Sequence, residues 1–203
     1  MSLFESKPTK ILLPLKKGEG WYLKDFLSEK EQENLKNHLW EFYQWEQPQL
    51  KVFGKSHPIP RLAAWVANKD VGYDYSGVKH ELQPWSETLL VVKQKIELAT
   101  GAEFNSVLLN AYRNGHDKMG WHSDNEKALG NDPLIASLNL GVSRRFDLRN
   151  TKKTTDEVKV QLDPGSLLFM GSGIQQHYKH QVPQQKRAEG LRINLTFRKV
   201  VEQ

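Results

Sequence analysis

The second half of the chain allows few architectures other than an antiparallel β one. From Phe104 onward, β-forming runs follow one another at 107–112, 135–140, 145–148, 158–162, 166–170 and 192–198. Turn residues such as Asp163-Pro164-Gly165 separate them. Short strands at this spacing predict a sandwich or jelly roll.

The first half reads differently. Residues 1 to about 20 form a flexible lead-in, and 21–23 a short strand. Ser28 and Glu31 fit a capping box, with Leu35, Leu39 and Phe42 following at helical spacing. This helix is expected to end near Gln44 to Gln47, before Pro48. A second helix starts at Pro84 or Ser86. It places Leu89, Val92, Ile96 and Ala99 on one face and reaches Gly101, a good residue just past a helix end. Residues 49–80 show no helical pattern and read as short strands and hairpins, with exposed aromatics between basic residues. No repeat or linker divides the chain. The expectation is one domain over 1–203, mainly β, with helices covering one outer face of a jelly-roll core.

Composition narrows the chemistry. With no cysteine, disulfides and thiolate metal sites are excluded, so any metal must be held by His, Asp, Glu or water. A net charge of +5 favours a polyanionic partner such as nucleic acid. No apolar run is long enough to cross a bilayer, and the N-terminus lacks the layout of a secretory signal.

Within the β half, Trp121-His122-Ser123-Asp124 reads as a strand entering a loop. Alternate residues of a strand share a face, so His122 and Asp124 project together. They make up two thirds of a 2-His-1-carboxylate set, which holds Fe(II) and leaves positions open for substrate and oxygen. His177 and His180 are candidates for the third ligand. Three residues apart in an extended strand, they point to opposite faces, so only one serves easily. In the last strand Arg192, Asn194, Thr196 and Arg198 share one face, and Ile193, Leu195 and Phe197 the other. Asn110 and Tyr112 share a side of their own strand. Two arginines, two amides and a phenol can enclose a dicarboxylate beside a metal, because the guanidinium fork matches a carboxylate.

Together, Asn110-x-Tyr112, His122-x-Asp124, His180 with Val182-Pro183, and Arg192-x-Asn194-Leu195-Thr196-Phe197-Arg198 resemble the AlkB family. These are Fe(II)- and 2-oxoglutarate-dependent dioxygenases that repair alkylated nucleic acid. The resemblance covers roughly residues 50–200, in order and spacing. From Asn105 through Ser137 it is similar to the homologue 3 subgroup. Val52-Phe53-Gly54-Lys55 with Pro60-Arg61 resembles the hairpin of the homologue 2 subgroup.

The resemblance implies a double-stranded β-helix (jelly-roll) core with a nucleotide-recognition lid over about 49–80. It implies His122, Asp124 and His180 as iron ligands. Arg192 and Tyr112 would bind the distal carboxylate of 2-oxoglutarate, and Arg198 with Asn110 and Asn194 its chelating end. For the substrate it implies Tyr73 and Tyr75 in the lid, with Tyr75 stacking on the damaged base opposite His122. Glu126 would contact the base's exocyclic amine, and Phe53 would fill the gap left by a flipped base. Lys51, Lys55, Arg61, Arg144, Arg145, Arg149, Lys152 and Lys153 are candidate phosphate contacts.

The implied reaction uses Fe(II), 2-oxoglutarate and O2. The N-methyl group of N1-methyladenine or N3-methylcytosine is hydroxylated and lost as formaldehyde, while 2-oxoglutarate becomes succinate and carbon dioxide. The partner is alkylated DNA, single- or double-stranded, or RNA, met by a monomer. A bacterial protein of this kind would be cytoplasmic and a eukaryotic one nuclear. The competing readings are an RNA demethylase, an oxygenase of the same fold acting on another substrate, and a non-catalytic nucleic-acid-binding module.

Overall fold

The structure, a computed structural model, describes residues 9–52, 54–69, 71, 81–153 and 155–201. Strands β1 (Lys10–Leu12) and β2 (Gly20–Leu23) precede helix α1 (Glu29–Phe42). A hairpin, β3 (Gln49–Val52) and β4 (Lys55–Pro58), is followed by β5 (Leu62–Ala67), β6 (Leu82–Gln83) and helix α2 (Glu87–Thr100). The remaining strands are β7 (Ser106–Tyr112), β8 (Met119–His122), β9 (Ile135–Gly141), β10 (Arg144–Asn150), β11 (Glu157–Leu162), β12 (Leu167–Met170), β13 (Tyr178–Val182) and β14 (Arg192–Arg198). A single helical turn, α3 (Ile174–His177), precedes β13.

Two sheets carry the fold. The larger has the order β1-β2-β12-β9-β14-β7-β5-β6, and the smaller β11-β10-β13-β8. Neighbours within each distant in sequence are what a jelly roll produces. The period of two in β14 sorts its side chains. Ile193, Leu195 and Phe197 pack with Leu35, Leu39, Leu89, Val92 and Ile96 of the helices. That apolar layer covers the outer face of the large sheet. The opposite row points between the sheets, where Phe146, Leu148, Leu168 and Tyr178 form a second core.

Both helices begin as their sequences predict. The Ser28 capping box is complete, and Ser86 accepts from the Leu89 N–H at the start of α2. Gly101 ends α2 in the left-handed region, at φ 72°. Helix α1 stops at Phe42, before the expected Gln44 to Gln47, because Tyr43 turns inward. Its buried hydroxyl accepts from the Ser86 N–H at 3.1 Å, which ties the end of α1 to the start of α2.

Two segments gain structure. Within the expected lead-in, β1 pairs antiparallel with β2 and adds an edge strand to the large sheet. Within 49–80, one described stretch belongs to the core. Ala63, Ala64, Trp65 and Val66 lie in β5, paired along β7 and wholly buried, so Trp65 is a core residue. Phe53, Tyr73 and Tyr75 lie outside the described residues. Among the described residues no helix is long and apolar enough to cross a membrane.

Candidate active site

β13 runs antiparallel to β8 with His180 directly opposite His122. Opposed residues of an antiparallel pair project to the same face, and the two imidazoles meet edge-on with centroids 4.2 Å apart. Asp124 follows where β8 has ended. Its backbone N–H donates to Gln175 Oε1 at 2.9 Å, and Ser123 Oγ donates to the Tyr178 carbonyl at 2.8 Å. These bonds fix the loop, and one ligand atom each from His122, Asp124 and His180 falls within 4.8 Å of the others. His177, at the end of α3, is outside the group.

The charges are matched to a cation. Burial would raise the Asp124 carboxyl, but Arg198, His180 and His122 outweigh it and hold the group well below the usual carboxylate range. Burial, then the neighbouring His122, pushes His180 down to about 3, so its imidazole is neutral and keeps a lone pair. His122 Nδ1 lies 2.8 Å from the Gly120 carbonyl, which leaves Nε2 as the nitrogen available to a metal. Phe146 stacks on His180 at 5.3 Å. Asp124 Oδ2 and His180 Nδ1 are buried without hydrogen-bond partners. Two imidazoles and a carboxylate with an uncommitted oxygen suit a divalent iron ion.

The triad lines a small pocket together with Asn110, Tyr112, Ser137, Asn194, Thr196 and Arg198, among others. It exists because β14 pairs with β7 on one side and β9 on the other, setting Asn194 between Asn110 and Asn139, and Arg192 opposite Tyr112. The polar face of β14, which a structural strand would turn to water, is buried along its whole length. Arg198 donates from Nη2 to Asp124 Oδ1 at 2.8 Å. Arg192, 1% exposed, lies over the Tyr112 ring at 4.9 Å. Its Nε and Nη1 are buried without hydrogen bonds, and burial draws its pKa down to about 10. A buried guanidinium without an anion costs on the order of several kcal/mol. A carboxylate ligand fits that need.

The other expected residues fall as follows. Arg61 is 6% exposed and donates from Nε to Asn110 Oδ1 at 2.7 Å. It is thus a buried support of the pocket wall rather than a solvent-facing charge. The bond occupies the Asn110 oxygen and leaves its NH2 as the free end. Asn194 lines the pocket, but its NH2 is already engaged by Ser137 Oγ, the Leu138 carbonyl and Asn139 Oδ1. Glu126, half-buried, caps a short turn at Lys127–Leu129 just beyond the triad. Arg144 is corrected: it is 1% exposed and donates to the carbonyls of Asn114, Asp117 and Pro183, out of reach of any phosphate. Arg145 pairs with Asp147, and Arg149 covers the Trp121 ring at 4.2 Å. Lys55, Lys152 and Lys153 are exposed. Asn139, Phe146 and Gln175 escaped the sequence reading. Asn139 alternates with Ser137 in a strand otherwise read for its apolar residues, and that alternation was its signal.

A jelly roll that gathers two histidines and an aspartate at the edge of an arginine-floored pocket defines a non-haem iron oxygenase. A profile of the 2OG-Fe(II) oxygenase superfamily matches residues 21–198. Bovine alpha-ketoglutarate-dependent dioxygenase alkB homolog 3 is 43% identical over 150 residues, 70% of this chain and 52% of that protein. The mouse DNA oxidative demethylase ALKBH2 is 36% identical over 159 residues, covering 75% of this chain and 66% of the relative. The solved structure of OsALKBH1 shares the fold, with a TM-score of 0.68 over 91% of this chain and 99% of that one at 19% identity. The chain belongs to the 2OG-Fe(II) oxygenase superfamily, as a member of its AlkB family. It spans about half the length of the homolog 3 relatives it matches.

Proposed function

We propose that the protein is an Fe(II)- and 2-oxoglutarate-dependent dioxygenase that removes alkyl groups from damaged bases in nucleic acid, with DNA as the leading substrate. The observation that supports this reading is the pairing of an uncommitted Asp124 oxygen in the His122/Asp124/His180 group with a buried Arg192 that, among the described residues, leaves Nε and Nη1 without a hydrogen-bond partner. The nucleic-acid assignment leans on relatives named as alkB homolog 3 and as a DNA oxidative demethylase, and on the net charge of +5.

In this reading His122, Asp124 and His180 hold the iron, and Arg192 with Tyr112 takes the distal carboxylate of 2-oxoglutarate. Asn110, its oxygen held by Arg61, offers its NH2 to the chelating end beside Arg198. Iron and 2-oxoglutarate, once held there, would supply the oxidising chemistry: one oxygen atom of O2 would go to an N-alkyl carbon, which then leaves as an aldehyde, and the other to 2-oxoglutarate, which becomes succinate and carbon dioxide. Asp124 and His180 are buried while His122 is half-exposed, so the base enters from the His122 side. Glu126, two residues past Asp124 and half-buried, is the candidate for the exocyclic amine of a cationic lesion. A base inside a duplex must be flipped to reach the iron, at a cost of a few kcal/mol that is least where damage has already broken its pairing. Lys152 and Lys153 are exposed cations available to phosphates.

The test is an incubation with Fe(II), 2-oxoglutarate and oligonucleotides carrying N1-methyladenine or N3-methylcytosine. Formaldehyde and restored base are measured in single-stranded DNA, duplex DNA and RNA. Release from at least one substrate is expected. No turnover on any of them, with no succinate formed, overturns the reading.

A further inference from the structure

Arg192 occupies an unusual electrostatic position. Its guanidinium lies over the Tyr112 ring at 4.9 Å, and among the described residues no carboxylate stands within ion-pair distance of it. A hydrogen bond runs from its Nη2 to Asn139 Oδ1, at 2.5 Å. Asn139 is itself immobilised. Its Nδ2 faces the carbonyls of Ser137 and Ser166 at 3.2 and 3.3 Å and Ser166 Oγ at 3.4 Å. Its Oδ1 also accepts from Asn194 Nδ2 at 3.2 Å. Carbonyl acceptors on the Nδ2 side settle which end of the amide is oxygen. Asn139 and Arg192 lie on β9 and β14 in a ladder where Asn139 stands opposite Asn194 and Gly141 opposite Arg192.

An aspartate in this position would hold the guanidinium as well or better and would neutralise it. Asparagine holds it and leaves the charge intact. We propose that Asn139 is a positioning residue for co-substrate selection. It aims the Arg192 guanidinium with a neutral acceptor, so that the full charge is kept for the far carboxylate of a 2-oxo diacid. This inference rests on the dioxygenase reading above, in which Arg192 meets 2-oxoglutarate. It adds a residue that does not itself touch the co-substrate.

The test compares two 2-oxo acids on the Fe(II)-loaded protein without oxygen, by equilibrium binding. 2-Oxoglutarate carries the distal carboxylate; 2-oxopentanoate has the same chelating end without it. The native protein is expected to prefer 2-oxoglutarate strongly. Asn139→Asp should weaken 2-oxoglutarate roughly 10- to 100-fold, the loss of a charge-assisted hydrogen bond, and leave 2-oxopentanoate nearly unchanged. Asn139→Ala removes the acceptor without adding charge. It should lose part of the same preference, and it keeps the test open if the aspartate variant does not fold. Unchanged 2-oxoglutarate binding in both variants overturns the proposal, as does equal weakening of the two acids. Failure of the native protein to bind 2-oxoglutarate overturns the dioxygenase reading itself.

Discussion

Arg198 Nη2 lies 2.8 Å from Asp124 Oδ1, and the two side chains are 2% and 1% exposed. The bond divides the carboxylate's labour. One oxygen is spent on Arg198, and the other, Oδ2, faces His180 Nε2 at 3.6 Å and has no hydrogen bond. Such a carboxylate binds a metal through a single oxygen. The arginine, itself part of the pocket lining, thus ties the pocket to the candidate metal ligand Asp124 through one buried ion pair.

Asp124→Ala should therefore do two things. Iron-dependent turnover is abolished, because one of three ligands is gone. The folded state also loses about 3–5 kcal/mol, because Arg198 is left buried without its anion. Activity assays and denaturant melts of the metal-free protein check the two effects separately. A variant that loses activity with an unchanged melt would show that Arg198 finds another anion.

Which parts of this site could be read from the chain follows from the physics. His122 and the β14 arginines were legible because strand periodicity assigns a face without tertiary information, whereas Asp124 lies past the end of β8 and joins them through the Gln175 and Tyr178 bonds that fix its loop. Periodicity shows that only one of His177 and His180 serves easily, and it is the resemblance, through Val182-Pro183, that points to His180. Arg61 and Arg144 were not legible, since a buried arginine and a surface arginine look identical in a sequence. Only the fold supplies the acceptors that make burial tolerable, Asn110 for one and three carbonyls for the other. β1 was missed because its side chains are exposed and its order comes from backbone pairing with β2. β5 falls in a stretch that reads as short strands and hairpins with exposed aromatics; its burial was not legible, because Trp65 beside prolines and polar residues looks the same in a surface hairpin as in a core strand.

Arg61→Met separates two roles. If Arg61 acts through Asn110, the apparent KM for 2-oxoglutarate should rise about 10-fold, in line with one hydrogen bond to a charged group, with kcat less affected. The KM for oligonucleotide should keep its dependence on salt. A phosphate contact would show the opposite pattern, with an unchanged KM for 2-oxoglutarate and a shallower salt dependence.

Gly115 locks the β7–β8 connection against the segment before β14. Its N–H donates to the Ala188 carbonyl at 2.8 Å, and its carbonyl accepts from Gln185 N–H at 2.9 Å. A Cβ there would stand 1.8 Å from the Gln185 carbonyl oxygen. Backbone on both sides must move to admit it. Gly115→Ala should cost about 1–3 kcal/mol, as overpacking does, or roughly 2–4 °C of Tm per kcal/mol for a chain of this size. Differential scanning calorimetry reads this directly. A change under 1 °C would mean that the two segments slide freely.

The helix layer supplies a pH test remote from the metal. Glu31 closes the Ser28 capping box and also meets Lys95 of α2 at 2.9 Å, so one carboxylate ties α1 to its own start and to its neighbour. Its hydrogen bond with Lys95 is the largest influence on the carboxyl, and with the Ser28 bonds it brings the pKa down to about 2. The folded pKa lies below the unfolded one, so the unfolded state binds more protons and stability rises with pH across this interval. The contribution is complete above the ordinary glutamate range, near 4.5, and is lost as pH falls toward about 2. Because the pair is largely solvated, its ionic part is small. Glu31→Ala should cost about 0.5–2 kcal/mol at neutral pH, the range for losing a cap. The difference in Tm between the variant and the native protein should shrink steadily below pH 4.5. An equal difference at pH 7 and pH 3 would assign the stabilisation to packing of the glutamate's methylenes rather than to its charge.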